Sequence, residues 1–115
     1  MRRTVIALAV ASLVGTVVGT PAAAHFQEII PSADVLPDGG AVGVDLVFTH
    51  PMARGPVMEM ARPKRVGLLR QGKITDLTAA LTEKKIDGKT AWTVAATLAE
   101  PGAAVFFVEP QPYWE

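Results

Sequence analysis

Ala41-Val42-Gly43-Val44-Asp45-Leu46-Val47-Phe48-Thr49 is the stretch that decides the fold. Val42, Val44, Leu46 and Phe48 alternate with Gly43, Asp45, Val47 and Thr49, and a period of two with one apolar face predicts a β-strand packed on one side. Pro37-Asp38-Gly39-Gly40 before it is a strong turn. Pro51, just beyond it, cannot donate to a ladder and keeps the strand from continuing in a sheet interior.

Working outward, Arg65 to Arg70 reads as a second strand with Val66 and Leu68 on one face, and Gln71-Gly72 turns the chain. Asp87-Gly88 is the best hairpin signal. Two-residue loops of this kind accept the positive backbone angles of a type I′ turn, so Thr82–Ile86 pairs back onto Lys89–Val94, with Trp92 and Val94 on a shared face. Glu100-Pro101-Gly102 makes another turn. The β-prone run Ala104-Val105-Phe106-Phe107-Val108 follows, and Pro110 and Pro112 end it. Only Leu77 to Leu81 suits a helical turn. Short strands separated by turn signals predict an all-β, immunoglobulin-like antiparallel β-sandwich, with Leu46, Phe48, Trp92 and Phe107 in its core.

The start of the chain reads as an export signal. Met1-Arg2-Arg3 is positive, Val5 to Val18 is apolar apart from small residues, and Ala22 and Ala24 occupy the small-residue positions that signal peptidase requires. The apolar run falls short of the ~20 residues that span a bilayer, which favours cleavage over anchoring. The expected organisation is a signal peptide over 1–24 and one small domain over 25–115, in the periplasm. Cleavage after Ala24 makes His25 the first mature residue. Its free α-amino group and its imidazole then close a chelate ring on one metal ion, the amine losing its proton to the metal. The competing reading is a solvated terminal histidine.

The 115 residues carry 11 basic and 11 acidic side chains. Losing Arg2 and Arg3 leaves nine basic residues against eleven acidic ones, a formal charge of −2. No basic stripe with interleaved aromatics is present, so neither DNA nor RNA is an expected partner. Lys64-Arg65 and Lys84-Lys85 read as solvated pairs. With no cysteine, thiolate ligands, disulfides and a thiol nucleophile are all excluded.

The candidate site follows the deciding strand: His50-Pro51-Met52-Ala53-Arg54-Gly55-Pro56-Val57-Met58-Glu59-Met60. Three of the four methionines and the only histidine besides His25 fall here. Imidazole suits nickel, cobalt, copper and zinc, thioether sulfur favours soft cuprous copper, and Glu59 adds an oxygen. The expected metal set is His25, His50, Met58, Glu59 and Met60. Beside it stands a plain structural reading, in which Met58 and Met60 alternate on one strand face as core fillers, which is the commoner use of methionine. No nucleophile elbow surrounds Ser32, no glycine loop sits between a strand and a helix, and no carboxylate pair has hydrolase spacing. A binding protein is expected rather than an enzyme.

The order of signal peptide, Ala24-His25-Phe26, Pro31, Phe48-Thr49-His50-Pro51, Gly55-Pro56-Val57-Met58-Glu59-Met60, Glu100-Pro101-Gly102 and Pro112-Tyr113-Trp114 resembles an exported bacterial family, domain of unknown function 4198. Members of that family are described as periplasmic components of ABC-type cobalt and nickel uptake systems. The resemblance covers nearly all of His25 to Glu115 and is to the N-terminal half of a longer protein. It implies a sandwich domain that hands nickel or cobalt to a membrane permease and ATPase complex. His25 matches the family's leading histidine, His50 its His-Pro motif, and Met58 and Met60 its methionine pair. Copper handling, and a structural sandwich with no metal, are the alternatives.

Overall fold

The computed structural model describes residues 26–50 and 55–113. The expected signal peptide, His25, residues 51–54 and residues 114–115 lie outside the described residues. Among the described residues seven strands follow one another: β1 (Phe26–Pro31), β2 (Gly40–Thr49), β3 (Arg65–Arg70), β4 (Lys73–Asp76), β5 (Thr82–Ile86), β6 (Lys89–Leu98) and β7 (Val105–Glu109). They form two antiparallel sheets, one ordered β1-β2-β6-β5 and the other β4-β3-β7. Read as strands A to F with C′ after C, this is the strand order of an immunoglobulin sandwich. A 3-10 turn, Thr78–Ala80, lies between β4 and β5, where one helical turn was expected.

The alternation in β2 sets the core. Val42, Val44 and Leu46 are buried to within 2% of full enclosure, and Phe48 joins them. Val66 and Leu68 oppose them from β3, and Val94 extends the cluster on β6. β2 is held on both sides, pairing Ile29↔Leu46 with β1 and Leu46↔Trp92 with β6. The Asp87-Gly88 loop has both φ angles positive, 51° and 76°, as a type I′ turn requires, and β5 pairs onto β6 from Ile86↔Lys89 to Thr82↔Thr93.

Phe107 departs from expectation. Val66 and Leu68 point inward, so Gly67 points outward, and register sets Phe107 opposite Gly67. The ring therefore lies on the outer face, over a glycine whose added Cβ would collide with it, and beneath the Arg65 guanidinium at 5.2 Å. Its neighbours Phe106 and Val108 take the inward positions. Trp92 packs on the core but stays half-buried, because its indole N–H reaches out to the Met60 carbonyl at 3.0 Å, with Arg62 over its ring.

Candidate metal centre

The segment after β2 is shaped by its backbone. The Gly55 amide donates to the His50 carbonyl at 2.9 Å, which holds these two residues together. A Cβ at Gly55 would come within 2.6 Å of the His50 Cβ, so glycine lets the chain fold back against the histidine. The returning strand then bridges Phe48↔Met58 antiparallel, and the Met58 amide donates to the Phe48 carbonyl at 2.7 Å. Two residues on, the Met60 amide donates to the Thr90 carbonyl at 3.1 Å. Residues 58–60 thus seam the end of β2 to the start of β6.

This seam sorts the candidate ligands. Met58 and Met60 share a parity and turn inward. Met60 is 1% exposed within the cluster of Leu46, Val66 and Leu81, and Met58 packs against that cluster. Their thioethers fill the gap where β2 has run beyond its pairing with β6, as a flexible unbranched side chain does well. Glu59 has the opposite parity. Its Oε2 accepts the Thr90 backbone N–H at 2.9 Å. Hydrogen bonds from Thr90, with smaller help from Lys85 and Lys89, hold its carboxyl below the ordinary glutamate range. His50 is half-buried at the mouth of the loop. Met58, Glu59 and Met60 therefore lie beside the end of β2, which leads into His50; Glu59 is exposed and His50 half-buried. No cluster of three or more His, Cys, Asp or Glu exists among the described residues.

Register adds something that sequence spacing does not. Phe26 pairs with Thr49, so the first residue of β1 lies opposite the residue just before His50. Gln27, opposite Phe48, donates its amide nitrogen to the carbonyls of Glu28 and Val47 at 3.0 and 3.1 Å. Its Oε1 is buried with no partner among the described residues, a free acceptor one residue from the start of the strand. Tyr113 was another unexpected neighbour. It stacks on Phe48 with ring centroids 4.1 Å apart, its hydroxyl accepts the Ala61 amide at 3.2 Å, and burial raises its pKa against that bond. Only its closeness to two prolines, which steer the chain back after β7, hinted at this in the sequence.

At the other end of β2 lies a cleft of about 770 Å³ between the 33–39 and 99–104 loops. Val42, Leu98 and Phe106 line its apolar part, and Asp34, Asp38 and Arg70 its polar part. The Arg70 guanidinium donates to the carbonyls of Glu100 and Pro101, which braces the second loop.

The model of the family described as "Domain of unknown function (DUF4198)" matches residues 22–115. The chain belongs to this family. Among curated proteins, a ribose-phosphate pyrophosphokinase of Bifidobacterium longum (strain NCC 2705) is 38% identical over 78 residues, 68% of this chain. The match spans 22% of that enzyme's length. No solved structure matches the chain.

Proposed function

We infer that this DUF4198 chain is an exported metal-binding module, not an enzyme, which holds a nickel or cobalt ion in the periplasm for delivery to a membrane permease and ATPase complex. His25, through its α-amino nitrogen and ring, and His50, through its ring, are the principal ligands. The observation that carries the reading is the β1–β2 register. His25 is bonded to Phe26, and Phe26 pairs with Thr49, the residue before His50. The reading requires that His25, one residue before this pair, reach the His50 ring. Gln27 Oε1, buried with no hydrogen-bond partner among the described residues, is an additional candidate oxygen ligand. Met60 serves the core, and Met58 contributes only if the ion is soft.

Calorimetric titration of the protein beginning at His25 with nickel, cobalt and copper is the test. His25→Ala and His50→Ala each weaken binding at least about tenfold. One extra residue placed before His25 removes the amino chelate while keeping both rings, so it weakens binding without abolishing it. Acidification weakens binding as well, because each ligand must be deprotonated. Binding equal to that of the double histidine variant overturns the reading and leaves a structural sandwich domain. A strong preference for copper transfers it to copper handling.

A further inference from the structure

We propose that the cleft between the 33–39 and 99–104 loops binds a small zwitterion with an apolar side chain, the chemistry of a free amino acid or a dipeptide. The cleft lies at the Gly40 end of β2, and the ten residues of that strand, about 30 Å, separate it from the His50 end. It is therefore independent of the metal reading. Its volume of about 770 Å³ falls within the range of small-molecule sites, about 300–1,000 Å³.

Both walls are anchored to the sandwich. Gly39 has a φ of 69°, and a Cβ there would meet the Leu98 carbonyl at 2.6 Å, so glycine lets the first loop press on the end of β6. Its amide donates to the Leu36 carbonyl at 3.1 Å, which closes a turn in that loop. The second loop is held by Arg70 Nη2, which donates to the Glu100 and Pro101 carbonyls. Between the walls, Val42, Leu98 and Phe106 give an apolar surface that suits an apolar side chain. Val35 adds to it from the first loop and is 75% exposed.

Charge supplies the two ends. Arg70 stands two residues beyond Leu68 on β3 and shares its inward parity, so its side chain lines the cleft. Its Nε is buried without an acceptor, and Nη2 is engaged by the two carbonyls, which leaves Nη1 as the nitrogen open to a ligand. Asp34, Asp38 and Glu100 line the same cleft and are exposed. Among the described residues none of them forms an ion pair with Arg70. The cleft thus holds both signs of charge without joining them. A ligand carboxylate accepts from the guanidinium in a charge-assisted hydrogen bond, and a ligand ammonium lies toward the acids. A simple carboxylic acid meets repulsion from the three acids, and a simple amine leaves the guanidinium unanswered. A zwitterion meets both demands.

Nitrogen–proton correlation spectra of the isotope-labelled protein test the proposal, with leucine, leucyl-leucine, leucinamide and N-acetyl-leucine each titrated to millimolar concentration. The expected result is that leucine or leucyl-leucine shifts the amides of residues 33–39 and 99–104 and the Arg70 side-chain N–H. The tighter of the two distinguishes a free amino acid from a peptide as the source. Leucinamide, which lacks the carboxylate, and N-acetyl-leucine, which lacks the ammonium, each bind at least about tenfold more weakly than leucine. Asp34→Asn combined with Asp38→Asn, both at exposed positions, weakens the zwitterion and does not weaken N-acetyl-leucine. No shift in either loop with any of the four overturns the proposal. Equal binding of leucine and its two blocked forms also overturns it, by reducing the cleft to an apolar groove. If the asparagine variant fails to fold, the four ligands compared on the unaltered chain still decide.

Discussion

The two ends of β2 close the sandwich in different ways. At the His50 end the chain folds back on itself, sews residues 58–60 between β2 and β6, and presses Met60 and Tyr113 into the interior. At the Gly40 end two loops merely arch over a cleft, pinned by the Arg70 guanidinium on backbone carbonyls. The lesson concerns what holds a functional group in place. His50 sits on a backbone fixed by hydrogen bonds and packing on both sides. Asp34 and Asp38 sit on loops whose apolar residue Val35 is three-quarters exposed.

The largest effect that separates the ends is a core truncation. Met60→Ala should cost about 2–5 kcal/mol, the range for emptying a buried methionine site, as read by denaturant unfolding. A loss no larger than that of a surface change would show that the seam is not packed as described. Tyr113→Phe comes next. It keeps the stack on Phe48 and hands the exposed Ala61 amide to water, so it should cost no more than about 0.5–1 kcal/mol.

Glu59 gives a subtler reading through pH. Its folded carboxyl is held below the ordinary value of 4.5 by Thr90, so its contribution is complete above that value and fades as the pH falls through the lower folded value. Glu59→Gln should therefore be less stable than the unaltered chain at neutral pH and equal to it in strong acid. A difference that persists unchanged to low pH would remove Thr90 as its cause. Val35→Ala, at the open end, should shift stability by no more than about 0.5 kcal/mol. A larger loss would mean that the cleft loops pack more firmly than their exposure implies.

How far the sequence could be read depended on how each strand is buried. β2 has one buried face, so its apolar residues alternate cleanly, and the Asp87-Gly88 hairpin is spelled out by turn chemistry. β4 is exposed along its whole length and carries no period. β1 mixes Phe26, Ile29 and Ile30 across both faces of an edge strand, and it hides behind a leader-like stretch. Phe106-Phe107 offered two rings for one inward position, and only the glycine across the ladder, where a ring fits on the outer face, decides between them. At the candidate site His50 and the methionine pair were visible as residue types. Their arrangement was not, because it depends on a bridge between Phe48 and Met58 across a proline-rich loop that has no period of its own.

The pairing of Leu46 with Trp92 joins positions 46 residues apart, and this separation governs how the molecule comes to be folded. The β5–β6 hairpin can zip locally from its turn, but β2 must find β6 across the whole of β3, β4 and β5 before the apolar face is covered. Chains dominated by such distant pairings acquire structure in milliseconds to seconds, far more slowly than helical bundles of similar size. No disulfide shortens the separation between β2 and β6, so their pairing carries the largest loop-closure cost in this sheet. The Trp92 indole, which passes from water to a hydrogen bond on the Met60 carbonyl, reports that closure once Trp114 is replaced by phenylalanine.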